Sequence, residues 1–131
     1  MSELAIKREE QYTLITVNIQ KADNALFELL YNQVILEMEE GRVNFIFDFE
    51  KIQDFNHSLY LKLNHINNIV LKEGGILVIA CFSAVNPDLF NDLDIVSTKT
   101  VVEAGDYVFM EEIERHFLEV DDDEDEEDQE D

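Results

Sequence analysis

The chain has 131 residues, of which 46% are apolar, and a formal net charge of −22. This length and apolar content suit one domain with a single core. The sequence has 31 acidic residues and only nine basic ones, and the Lys and Arg residues form no cluster that could neutralise a nucleic-acid backbone. A direct role on DNA or RNA is therefore disfavoured, and a protein partner with basic patches fits better.

The sequence also limits where the protein works. No apolar segment approaches the roughly 20 residues of a membrane span, and the N-terminus lacks the apolar stretch of a secretion signal. Cys81 is the only cysteine, which excludes an internal disulfide and a zinc cluster built on cysteines. We therefore expect a cytoplasmic protein, and no motif indicates a cofactor.

The first elements are predicted to be two strands. Residues 12–19 alternate, with Ile15 and Val17 facing one way and polar side chains facing the other, which is typical of a half-buried strand. A shorter strand within residues 4–9 is expected to pair with it through a tight turn.

A helix and a third strand follow. Residues 24–41 carry apolar side chains four apart, with Asp23 or Asn24 as the N-cap and Gly41 as the stop. Residues 42–49 return to alternation, which predicts a strand with one strongly apolar face.

The next helix, residues 57–72, has a clear division of faces. Its predicted buried stripe consists of Leu59, Leu63, Ile66 and Val70. The opposite face contains His57, Leu61, Asn64, His65, Asn68 and Lys72. Leu61 is therefore expected to be solvent-exposed.

The second half continues the alternation. Residues 76–82 are an unbroken apolar strand of the kind buried on both faces of a parallel sheet. A short helix is expected within residues 83–94, an edge strand over 97–103, and a last helix over 105–118. In that helix Val108, Ile113 and Phe117 are expected near one face, flanked by Phe109 and Met110. The predicted fold is α/β, with a mixed, largely parallel sheet of four to five strands and about four helices.

The last residues are predicted to be separate from the domain. Residues 119–131 contain eleven acids, one Val and one Gln, so they cannot form an apolar face and repel one another. We expect a domain over residues 1–118, with a net charge of −11, and a disordered acidic tail.

This layout resembles a STAS domain, the module of sulfate transporters and anti-sigma factor antagonists, over about residues 5–118. In "FIFDFEKIQDFNHSLYLKL", Asp48 and Phe49 close a strand, and "NHSL" lies where the family has Asp-Ser-Ser-Gly. "EGGILVIACFSAVNPDLF" resembles the Gly-Gly strand and the short helix of the family. "NDLD" resembles its Thr-Gly-Leu-Asp turn.

The sequence departs from the family at the position of the phosphate acceptor. Asn56 replaces the acid, His57 stands at the first serine, Ser58 at the second and Leu59 at the glycine. The standard phosphorylation site is absent, and Ser58 is the nearby candidate, one position out of register.

The resemblance implies a small bacterial regulatory module that docks on an anti-sigma factor or related serine kinase-like regulator and controls transcription by partner switching. The expected partner-binding residues are Asn56, His57, Ser58, Leu61, Asn64, His65 and Asn68. Asn56 or Ser58 also has a structural interpretation as a helix cap. The alternative function is a non-switching STAS subunit of a transport or multiprotein signalling assembly.

Enzymatic chemistry and metal binding are not expected. His57 and His65 lie about 80° apart on the helix and lack a third ligand. Asp48, Glu50 and Asp54 could suggest paired carboxylates, but no phosphate loop, nucleophile elbow or partner base accompanies them. Cys81, within an apolar strand, is expected to be a buried, inert thiol.

Overall fold

The computed structural model describes residues 3–56, 58–82 and 95–130, with side chains up to His116 in the last helix. In chain order, the elements in these residues are β1 (Leu4–Arg8), β2 (Thr13–Val17), β3 (Lys21–Ala22), α1 (Asn24–Glu39), β4 (Asn44–Asp48), β5 (Asp54–Phe55), α2 (Leu59–Lys72), β6 (Ile76–Ala80), β7 (Val96–Thr98) and α3 (Val101–Glu130). The short helix predicted within residues 83–94 lies outside the described residues.

The main sheet has five strands in the order β1-β2-β4-β6-β7. β1 is antiparallel to β2, and every other neighbouring pair is parallel. The predicted hairpin is confirmed, since the Glu9 amide donates to the Tyr12 carbonyl at 2.8 Å in its turn. The predicted mixed, largely parallel sheet is also confirmed, with three helices in the described residues rather than about four.

Two cores form because the central strands are apolar on both faces. Ile15, Phe47 and Ile79 lie side by side on neighbouring strands, fully buried under α1 and α2. On the other face, Ile46 and Val78 pack against α3. All five residues of β6 are buried because other elements cover both faces of the sheet at this strand. A strand covered on both sides has a continuous run of apolar residues in its sequence.

Local signals set the ends of α1. The Asp23 carboxylate accepts from the amides of Ala25 and Leu26 at 3.0 and 3.3 Å, so Asp23 is the N-cap. Gly41 follows the helix with a φ of 87°, a conformation that costs a glycine little. Both predicted boundaries are confirmed.

The boundary between β7 and α3 differs from the prediction. β7 is an edge strand, as predicted, but it ends at Thr98, and α3 begins at Val101. The hydroxyl of Thr100 accepts from the amide of Glu103 at 3.1 Å, as an N-cap does. This Thr-x-x-Glu signal outweighs the strand preference of the β-branched residues around it.

The buried face of α3 also differs from the prediction. Ala104 and Val108 are fully buried, but Phe109, Met110 and Ile113 are 47%, 54% and 40% exposed. Val108 and Ile113 are five residues apart, about 140° around a helix, so they cannot share a face. The side chain of Phe117 lies outside those described.

The acidic residues after position 118 lead to a first test. The helical backbone of α3 runs to Glu130, while the disorder of residues 119–131 stays a prediction. Deleting these residues should change the free energy of unfolding by no more than about 0.5 kcal/mol, because the segment is almost entirely acidic and holds a single apolar residue. Thermal unfolding followed by circular dichroism measures this, and a loss of cooperativity would show that the segment is structural.

Candidate functional site

The site is built around the start of α2, which a small second sheet holds in place. β3 and β5 pair in parallel, with Ala22 opposite Phe55. The Asn56 amide donates to the Ala22 carbonyl at 2.9 Å. The segment before α2 is therefore fixed beside the segment before α1, and the two helices start close together.

Asn56 organises the residue before α2. Its side-chain oxygen accepts from the amide of Ser58 at 3.0 Å and from the hydroxyl of Ser58 at 2.9 Å. Ser58 occupies the N-cap position with helical backbone angles, and its side chain makes no capping hydrogen bond. Of the two cap candidates, Ser58 is therefore wrong as a side-chain cap, and Asn56 satisfies the amide just before the helix.

A cluster of aromatic side chains packs around the start of α2. The Phe55 ring lies 4.7 Å from that of Tyr60 and 4.9 Å from that of Phe82, and Phe49 packs edge-on against Phe82 at 5.7 Å. Burial raises the pKa of Tyr60 to about 12, so its hydroxyl stays protonated. Such rings are rigid and bury a large area, so they fix the first turn of α2 firmly.

The two faces of α2 are as predicted. Leu59, Leu63, Ile66 and Val70 are fully buried, and Leu61 is 70% exposed. Ser58 and Leu61 are three residues apart and lie on the same side of the helix. His65 and Asn68 are exposed and Asn64 is half-buried, whereas His57 lies outside the described residues.

Side chains of α1 extend the surface beyond the predicted residues. Lys62 donates to the side-chain oxygen of Asn24 and lies 5.6 Å from the centre of the Phe27 ring. The ring of His65 stacks on Tyr31, with centroids 6.2 Å apart. Sequence spacing missed this contribution, because only tertiary packing places α1 beside α2.

The carboxylates at the end of β4 gather around Cys81. Ligand atoms of Asp48, Glu50 and Cys81 all lie within 4.8 Å of one another, whereas Asp54 lies on β5. Burial, together with the charge of Asp48, raises the pKa of Cys81 to about 11. A thiol that keeps its proton is a poor nucleophile and a poor metal ligand.

The position predicted for Cys81 was wrong in detail. It follows β6 with a φ of 62° and is half-buried, so it is neither within the strand nor fully buried. Its amide donates to the Thr98 carbonyl at 3.2 Å, which ties this bend to the end of β7.

Comparison with known proteins supports the fold. No protein-family model and no curated protein matches the sequence. The structure is similar to that of a Thermotoga maritima protein described as a candidate anti-sigma factor antagonist, with a TM-score of 0.68 and 14% identity over 80% of this chain and 93% of that one. The anti-sigma factor antagonist SpoIIAA in its unphosphorylated form gives 0.61 and 11%, over 78% and 93%.

The same fold occurs within a much larger protein. The murine anion transporter Slc26a9 matches with a TM-score of 0.58 and 11% identity, over 79% of this chain and 18% of that one. The chain therefore has the STAS fold, as the sequence resemblance predicts, and shares it with anti-sigma factor antagonists. Among the described residues, no helix is long and apolar enough to cross a membrane.

Proposed function

We propose that the chain is a small regulatory protein-binding module that acts as an anti-sigma factor antagonist. It docks through the start and outer face of the helix over residues 57–72, using Asn56, His57, Ser58, Leu61, Asn64, His65 and Asn68. Its partner is an anti-sigma factor or a related serine kinase-like regulator. The protein acts in the cytoplasm and is not an enzyme.

One observation carries this proposal. Leu61 is a large apolar side chain that is 70% exposed, one turn after the exposed Ser58, on a helix start held by the β3 and β5 pair. An apolar residue surrounded by polar ones on a rigid support has the form of an interface centre with a polar rim. The likeness to anti-sigma factor antagonists supports the choice of partner.

The direct test replaces Leu61 with a charge. Leu61→Asp should abolish retention of the partner from lysate of the native cell, because a carboxylate cannot be buried at the centre of an interface without a large cost. The free energy of unfolding should change by less than about 0.5 kcal/mol, as expected for a surface position. Affinity capture and chemical denaturation measure the two effects.

Leu36→Asp is the matched control. Leu36 is 56% exposed on α1, near the opposite end of the helix pair, so this variant should retain the partner. Partner retention by Leu61→Asp would refute docking at this face. A large loss of stability in Leu61→Asp would mean that this side chain belongs to the core.

Ser58 is proposed as the switch. Its hydroxyl donates a hydrogen bond to the side-chain oxygen of Asn56. Phosphorylation would remove this donor and place a negative charge beside the Asn56 oxygen. It would also add nearly two negative charges to the docking surface. Ser58→Glu should weaken partner binding about tenfold or more, and Ser58→Ala much less. Titration calorimetry with the captured partner measures the difference.

The alternative is a non-switching subunit of a transport or signalling assembly, for which the occurrence of this fold within an anion transporter is the supporting observation. Intact-mass analysis of the chain, captured with and without phosphatase treatment, separates the two functions. Unmodified chain holding the same partner in both samples would favour the permanent subunit.

A further inference from the structure

The outer face of α3 is apolar where a solvated helix should be polar. Seven large apolar side chains are exposed among the described residues, and four of them, Val102, Phe109, Met110 and Ile113, lie on this one helix. They are 73%, 47%, 54% and 40% exposed. Single exposed leucines need no explanation, but several large exposed apolar side chains gathered on one helix indicate an interaction site.

The spacing of these residues is that of a helix-helix seam. Val102, Asp106, Phe109 and Ile113 are separated by four, three and four residues, so they form one stripe along about three turns. Ala104 and Val108, on the opposite side, are buried against the sheet. The stripe therefore faces away from the domain.

Charge limits what can cover the stripe. Asp106 interrupts it, Glu103 and Glu114 flank it as exposed acids, and eleven acids follow in residues 119–131. A second copy of the chain would bring Asp106 and the acidic tails of two molecules together, each molecule carrying a charge of −22. An anionic membrane surface is disfavoured for the same reason.

We propose that the outer face of α3 is a second docking surface, and that its occupant is a basic amphipathic helix of a partner protein. The apolar side of that helix covers Val102, Phe109 and Ile113, and a Lys or Arg lies opposite Asp106. The remaining basic residues extend toward the acidic C-terminal segment, which also accelerates the encounter. This surface is independent of the one at the start of α2.

The test uses the full chain and a labelled synthetic peptide of about three heptads. The peptide has Leu at positions a and d of each heptad, which form its apolar side, and Lys and Ala elsewhere. Fluorescence anisotropy should give a Kd lower by about tenfold or more than that of a control peptide with the same composition and its leucines at scrambled positions. Equal binding of the two peptides would mean attraction by the tail alone and would overturn the proposal.

Variants locate the binding site. The double variant Phe109→Ser, Ile113→Ser should weaken peptide binding about tenfold or more, and Leu36→Ser, Leu71→Ser, at two other exposed leucines, should not. Asp106→Lys, which changes only charge at an exposed position, should also weaken it. Circular dichroism melts verify folding, and unchanged binding by both stripe variants would refute the proposal.

Two further outcomes separate this proposal from others. Leu61→Asp should leave peptide binding intact, so the two surfaces can fail independently. Sedimentation velocity should find the chain monomeric. A dimer that is lost in the Phe109→Ser, Ile113→Ser variant would make a second copy the occupant and overturn the proposal.

Discussion

Gly75→Ala is expected to destabilise the fold strongly. A Cβ at this position would lie 1.8 Å from the carbonyl oxygen of Val43 and 2.7 Å from its carbonyl carbon. Both obstacles are backbone atoms of the residue directly before β4, so no side-chain rotation relieves the overlap. The loop between α2 and β6 must move, and Asn44, whose side-chain oxygen accepts from the Ile76 amide at 3.0 Å, moves with it.

The cost should be about 3 kcal/mol, at the upper end for overpacking, within a total stability of about 5 to 15 kcal/mol. Thermal melts should show Tm lowered by about 10 °C. Gly74→Ala is the matched control, since its φ is 80° but nothing lies within 4 Å of the added Cβ. It should cost only about 1 kcal/mol of backbone strain from the left-handed conformation, and equal losses in the two variants would contradict the clash.

Glu37→Gln is expected to weaken the contact between α1 and β1. Glu37 is 1% exposed, and Arg8 donates to its two oxygens at 2.8 and 2.6 Å. Gln33 donates to the same carboxylate at 2.9 Å, and Arg42 lies 3.9 Å away. These contacts join α1 to β1, and losing the charged acceptor should cost about 2 kcal/mol at neutral pH.

The effect should depend on pH in a defined direction. The hydrogen bond from Arg8 holds the pKa of Glu37 below its ordinary value of 4.5, so the folded state binds this proton less readily than the unfolded state. The stabilisation is therefore complete above about pH 4.5 and is lost as the pH falls through the lowered pKa of the folded state. The gap between wild type and Glu37→Gln should narrow on acidification.

Glu39→Gln controls for the change in net charge. Glu39 is exposed on the same helix, so this variant should stay within about 0.5 kcal/mol of wild type. Chemical denaturation from pH 7 to about pH 3 measures all three proteins. A stability of Glu37→Gln equal to that of Glu39→Gln, or a gap that does not change with pH, would show that the Arg8 contact contributes nothing.

Sequence patterns predicted the parts of this fold that depend on near neighbours. Alternation over residues 12–19 and 42–49 located two strands of the sheet. Apolar residues four and three apart located the buried face of α2, and Leu61 was correctly predicted to be exposed on the other face. These patterns are reliable because each records which side of an element meets the core. The same patterns placed Asn56 and Ser58 at the start of α2.

What depends on distant residues was decided only by the tertiary structure. The two-residue strands β3 and β5 are too short to show a pattern in the sequence, and their pairing holds the starts of α1 and α2 side by side. Glu37 occupies the buried side of α1, where an acid is unexpected, and Arg8, 29 residues away, makes this possible. The sequence by itself determined most of the longer strands and helices and their STAS-like order, while the docking role of the residues at the start of α2 stays a prediction. Packing between distant segments decided which charges are buried, which aromatic rings support the site, and which face of α3 remains open.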